Sequence, residues 1–285
     1  MTTADRGGLT VRELSARYQK NRAAVFGLGA VSFFFLVALF GPAVAPYGPF
    51  DLSEEAFARP SRAHLLGTDN VGRDVVSGVI YGARASLLVG FLAVLTSTVI
   101  GMAVGAFSGF YGGRIDDLLM RVTEIFQVLP RFFLAILFVA FFGPAIWNVI
   151  LVIGILSWPE TARLLRAEFL ALRQREFVEA ARAMGAGDLR LMVSAIMPNA
   201  ISPVIVSASL QVAGAILLES GLSFLGLGDP NVISWGFMLH NAQEYFHHAW
   251  WMATFPGGAL FLAALGLNLV GDGLNDALNP RLRAR

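Results

Sequence analysis

Residues 173–198 read RQREFVEAARAMGAGDLRLMVSAIMP, the longest polar interval in the second half of a very apolar chain. Phe177, Ala180, Ala181 and Met184 fall at i, i+3, i+4 and i+7, which predicts a helix with one apolar stripe. Arg175, Glu176, Glu179 and Arg182 take the rest of its surface. Gly185 ends this helix, because glycine readily adopts the left-handed conformation of a C-terminal cap. Asp188 is placed to N-cap a second short helix. Pro198 falls in the first turn of the apolar helix that follows, where a missing N–H costs little. Two readings compete for such a helix between apolar segments. It lies on lipid headgroups, or it docks apolar face down in a groove of a soluble partner. The adjacent alanines favour docking, since they let a partner backbone come close; a lipid-facing stripe more often carries Leu or Trp.

Outward from that stretch, composition sets the class. The 285 residues are 56% hydrophobic and 14% charged, against roughly a quarter charged in soluble domains. This is the composition of an integral membrane protein. A net charge of +1 gives no basic field for nucleic acid. There is no cysteine, which excludes disulfides and thiolate chemistry. The only lysine, Lys20, has no glycine nearby, so no phosphate-binding loop of the G-x-x-x-x-G-K-[ST] type exists. If ATP drives this protein, another subunit binds it.

Glu179-Ala180-Ala181, Gly185 and Ile196-Met197-Pro198 together resemble the EAA loop of ABC importer permeases. Ala195 and Met197 stand where that family more often has a polar or basic residue and Leu. Two further runs, Gly67-Thr68-Asp69 to Gly72-Arg73-Asp74 and 221–236 (GLSFLGLGDPNVISWG), are similar to the dipeptide, oligopeptide and nickel branch. The resemblance implies an all-α fold of six transmembrane helices, the type I importer permease fold. It implies that Phe177, Glu179, Ala180, Ala181, Met184, Gly185 and Pro198 couple the chain to an ATPase. It implies as partners a homologous second permease in a heterodimer, two cytoplasmic ATPase subunits that hold ATP and Mg2+, an extracytoplasmic substrate-binding protein and membrane lipid. The chain itself would bind no cofactor or metal, make half of a path for peptides or a related solute, and catalyse no covalent step. Its place would be the bacterial or archaeal inner membrane.

In chain order, residues 1–22 form a polar cytoplasmic segment with a short interfacial helix suggested by Leu9, Leu14 and Tyr18. Residues 23–46 are the first span. A cleaved signal is the alternative there, with Ala43-Val44-Ala45 resembling a cleavage site, but the run exceeds a signal core of about 7–15 residues. Residues 47–83 are an extracytoplasmic loop, and 84–272 a five-helix core carrying the 173–198 loop. Its spans cover about 85–109, 115–143, 145–165, 197–219 and 250–271. Residues 273–285 are a cytoplasmic tail. Ser97, Gly101, Gly105 and Gly109 lie four apart on one face, a small-residue stripe for close helix packing in lipid. Packing within the subunit is favoured over homodimerisation. No internal repeat supports an inverted-repeat secondary transporter.

Arginine placement orients the chain. With six spans, every Lys and Arg except Arg59, Arg62, Arg73, Arg84 and Arg131 falls on the side of both termini and the 173–198 loop. That side is expected to be cytoplasmic.

Three groups of polar residues need weighing. Arg131 lies well inside the third apolar run, where an arginine costs at least about 2.5 kcal/mol. It either pairs within a packed interface or lines the translocation path with Gln127 and Gln211. Asp69, Arg73 and Asp74 form either local ion pairs of a surface loop or an outer gate or contact for the binding protein. His240, Glu244, His247 and His248 sit at i, i+4, i+7 and i+8, ligand types suited to zinc or nickel. The tryptophans and other aromatics around them favour an interfacial belt. No hydrolase motif is present: residues 221–225 miss G-x-S-x-G at the last position, and H-E-x-x-H is absent. A self-contained channel or secondary transporter is the rival class, but it would not need a docking helix.

Overall fold

A computed structural model of the chain describes residues 18–278. Among these the regular elements are helical. We number them α1 Arg22–Val44, α2 Val75–Tyr111, α3 Gly113–Val128, α4 Arg131–Phe142, α5 Ile146–Leu172, α6 Glu176–Ala183, α7 Met197–Leu222, α8 Trp235–Ala242 and α9 Trp251–Leu278. One turn at Asp188–Arg190 and a π-helical stretch at Leu191–Ile196 lead into α7, and a second π-helical stretch, Ser223–Leu227, leaves it. Five helical stretches are long and apolar enough to cross a membrane, six if the bent pair α3–α4 counts as one span.

The third span, expected over about 115–143, is this bent pair rather than one continuous helix. α3 and α4 meet at 85°. The break falls at Leu129, in extended conformation, and Pro130, which caps α4. Proline disfavours the α conformation in the residue before it, and here that preference prevails. Arg131 is thus the first residue of a helix, not a mid-helix residue. α2 also begins ten residues before the expected 85. Asp74 caps it, accepting from the Ser77 N–H at 2.8 Å, so the polar start that reads as loop is helix. The preceding loop therefore ends at Asp74 rather than at 83.

α2, α5, α7 and α9 form the centre, with α1 laid against α9 and α2. Most large residues of α1 remain exposed, among them Phe33, Phe35, Leu39 and Phe40, as expected of a helix with one face on protein and the rest in lipid. The closest packing is between α2 and α5, and the small-residue stripe makes it. A Cβ on Gly101 would lie 2.8 Å from the Trp158 carbonyl oxygen, on Gly105 2.5 Å from that of Ala162, and on Gly109 2.8 Å from that of Arg166. The stripe serves packing within the subunit. Burial from water does not hold helices together in lipid, so this close van der Waals contact and polar links replace it. One such link is Gln211. It accepts from Ser97 of α2 at 3.3 Å and donates to Thr161 of α5 at 3.1 Å.

Candidate functional site

The 173–198 loop hangs from α5 by a three-residue connection and returns to α7. Its helix α6 ends in a Schellman motif. The Ala186 N–H bonds the Ala181 carbonyl at 3.1 Å and the Gly185 N–H bonds that of Arg182 at 2.9 Å, with Gly185 at φ +84°. The expected glycine stop is therefore present. The expected Asp188 cap is not, since Asp188 is already helical and Gly187 precedes it without a side-chain bond. Pro198 lies in the first turn of α7, as expected.

The apolar stripe divides in a way its spacing does not show. Val178 is fully buried and packs with Phe169, Leu191, Met192 and Ile196. Ala181 and Ala186 reach the same cluster. Phe177 is 38% and Met184 82% exposed, and Glu179 and Ala180 are exposed too. Beyond the cap, Leu189 and Val193 add further exposed apolar area. One face of α6 thus anchors the loop to its own bundle, and another offers Phe177, Ala180 and Met184 outward. Hence a pair of tests. Val178→Asp is expected to destabilise the loop by several kcal/mol, because a carboxylate replaces a methyl-lined contact, and to lower the amount of chain in the membrane. Phe177→Asp should leave that amount unchanged and weaken whatever docks there, measured by co-purification.

From this loop a column of polar contacts climbs α5 toward α3 and α4. Arg173 donates to the Phe110 carbonyl at 3.0 Å. Arg166 makes a bidentate pair with Asp116, at 2.5 and 2.6 Å, and Ser108 also donates to Asp116. Arg163 donates to Gln127 at 2.7 Å. Arg131 faces Glu160 at 3.7 Å. Arg131 is therefore paired, with a residue its own neighbours in sequence do not reveal. Its charge lies at the positive end of α4, which is unfavourable by itself, and the Glu160 carboxylate offsets it. Glu160 and Ser157 of α5, Gln211 and Gly214 of α7 and Arg131 line one cavity of about 270 Å³. Of the three path candidates, Arg131 and Gln211 therefore come together, whereas Gln127 lies off this cavity, bonded to Arg163.

Sequence reading missed Glu160, Arg163, Arg166 and Asp116. Their partners come from distant segments, so spacing cannot reveal them. Only Glu160 left a signal, a carboxylate after Pro159 in an apolar run.

On the opposite end of α2, Asp69, Arg73 and Asp74 build a folded loop. Arg73 pairs with Asp69 at 2.9 Å and lies over the Phe237 ring. Asp74, besides capping α2, meets the buried His64 ring at 3.0 Å. Thr68 is buried and its carbonyl accepts from the Trp251 indole at 3.0 Å. These contacts fix the three residues in a folded loop, and all three also line a cavity with Phe237 and Asn241. α8 ends at Ala242 and a 3-10 turn follows, so His240, Glu244, His247 and His248 do not share one helical face. The His240 ring bonds instead to the Phe224 carbonyl and Gln243. Among the described residues no three His, Cys, Asp or Glu come together as a metal site would require.

The chain is thus a polytopic helical bundle with a broken span, a polar cavity beside the break and a half-exposed amphipathic helix outside the bundle. Residues 101–284 match the family described as binding-protein-dependent transport system inner membrane components, and the chain belongs to that family. Residues 12–60 match the N-terminal transmembrane domain of oligopeptide transport permease C. The chain is 41% identical to the di/tripeptide transport system permease protein DppC of Pseudomonas aeruginosa, over 96% of this chain and 93% of that one. It is 44% identical to the dipeptide transport system permease protein DppC of Escherichia coli, over 93% and 91% respectively. Its fold is similar to a chain of the MetNI methionine ABC transporter in inward-facing conformations, with a TM-score of 0.56 at 18% identity, covering 71% of this chain and 96% of that one. The protein is a multi-pass membrane permease of the bacterial ABC importer class.

Proposed function

We propose that this chain forms half of the translocation path of an ATP-driven importer for peptides or a closely related small solute. A homologous second permease supplies the other half, giving a heterodimer. Two cytoplasmic ATPase subunits bind ATP and Mg2+ and dock on α6, and an extracytoplasmic binding protein delivers the solute. The loop and both termini face the cytoplasm, and the chain carries out no covalent step. The observation that carries this reading is the divided α6 helix, with Val178 fastened to its own bundle and Phe177, Ala180 and Met184 left facing outward. Relatives named for dipeptide and di/tripeptide transport support the solute class. Purification from the native membrane tests the reading. The co-purifying chains should be a second permease and ATPases, and recovery of this chain alone or with unrelated proteins would refute it.

In this reading Arg131 faces the path. Arg131→Met keeps length and removes charge. The complex should still assemble, while uptake falls by about tenfold, corresponding to roughly 1.4 kcal/mol at the transition state, or ion leak rises. Reduced assembly with normal transport by the surviving complexes would place Arg131 in a structural interface instead.

A further inference from the structure

Among the described residues, Arg131 and Glu160 are the only charged residues that line the cavity beside the helix break, so it holds one positive and one negative side chain. Their separation of 3.7 Å exceeds the roughly 2.7–2.9 Å of a charge-assisted hydrogen bond. Both side chains are open in the single chain, 38% exposed for Arg131 and 54% for Glu160. A sealed structural ion pair would be tighter and drier. This pair is loosely closed, and a ligand can open it without burying an unpaired charge.

We propose that Arg131 and Glu160 together form a subsite for a zwitterion, the guanidinium taking the free carboxylate of a short peptide and the Glu160 carboxylate its free ammonium. This inference rests on the peptide-import reading above and specifies what that path recognises. Charge balance selects the ligand. A simple anion entering the pair leaves Glu160 facing like charge, a simple cation does the same to Arg131, and only a body with one of each satisfies both. The planar guanidinium fork suits a carboxylate. Gln211 has both amide hydrogens engaged, to Thr161 and Ser207. Its oxygen accepts one long bond from Ser97 and retains acceptor capacity for a peptide N–H. The rest of the wall is aliphatic or small, with Ala93, Gly214 and Ala215 among it. Such a wall reads no particular side chain. Recognition of the two ends with tolerance between them is what passage of varied short peptides requires. A volume of about 270 Å³ falls just below the roughly 300–1,000 Å³ typical of small-ligand sites, a size for a short peptide only.

The test uses the complete transporter in lipid nanodiscs, without its binding protein, so that protein's own selectivity does not enter. The probe is glycyl-photo-leucine, whose diazirine labels what it contacts on irradiation. Label is expected on fragments of α4, α5 and α7. Glycyl-leucine should suppress it at least tenfold more effectively than either N-acetyl-glycyl-leucine or glycyl-leucine amide. Glu160→Gln should erase the disadvantage of the acetylated competitor and keep that of the amide, and Arg131→Met should do the reverse. Absence of label on these helices, equal competition by free and blocked peptides, or a variant pattern not matched to terminus would overturn the proposal. The same preparation, reconstituted with binding protein and ATP, separates the two levels. A complex that imports glycyl-leucine but shows none of this discrimination refutes the subsite alone. One that imports no peptide refutes the peptide reading beneath it.

Discussion

Gly185→Val should abolish ATP-driven uptake, a loss of tenfold to more than a hundredfold, while the chain stays in the membrane. Gly185 holds φ at +84°, and a Cβ placed there meets nothing within 4 Å. The penalty is therefore conformational, not steric crowding by this chain. A β-branched residue in that region costs on the order of 1–3 kcal/mol. The backbone escapes the strain by giving up the cap, and with it the two bonds to Arg182 and Ala181 that fix where α6 ends. Phe177 and Met184 then no longer share a defined surface. Gly185→Asn is the control, because asparagine tolerates the left-handed region, and it should retain most activity. The measurements are uptake, substrate-stimulated ATP hydrolysis and the amount of chain in the membrane. If uptake and stimulated hydrolysis both persist in the valine variant, α6 is not where the ATPase docks.

Gly105→Leu should act on the opposite quantity, lowering the yield of assembled complex and leaving solute choice alone. The new Cβ would lie 2.5 Å from the Ala162 carbonyl oxygen and 3.0 Å from the Leu165 Cβ. The first is backbone and has no flexible end to move aside. Overpacking of this kind costs about 1–3 kcal/mol or more, and here it falls on the closest helix pair of the bundle. Gly105→Ala already introduces that Cβ, so its yield should fall between wild type and leucine. Yield measured by detergent-resistant assembly decides the matter. Normal assembly with altered selectivity would place this face on the path instead.

Much of this was legible because it is local or periodic. Gly185 announces a helix end by its chemistry, Pro198 a helix start, and the 97–109 stripe a packing face by its four-residue repeat. The helix break at Leu129 and Pro130 was signalled as well, but the apolar residues on either side read as one span. What spacing could not supply was the sorting of residues on the same helix into inward and outward faces. Val178 is flanked by Phe177 and Glu179, and only the cluster formed by Phe169, Leu191 and Ile196 decides that it is the one buried. Glu160 shows the same limit. Its role depends on Arg131, 29 positions away along the chain, across a bend that hydropathy does not register.

The break has a consequence for how a cell handles surplus copies of this subunit. α4 has 12 residues, about 18 Å at 1.5 Å per residue, against a hydrocarbon thickness of about 30 Å. It cannot cross alone, and no side chain caps its first turn. Non-helical backbone within the hydrocarbon layer is tolerated only under protein or water, and Leu129 and Pro130 at the break are both exposed in the single chain. Phe133, Leu137 and Phe141, on one side of α4, are all exposed in the single chain. If the proposed second permease is what covers this face, the amount of this subunit in the membrane should fall when that permease is not co-expressed, and its steady-state level should follow its partner's supply.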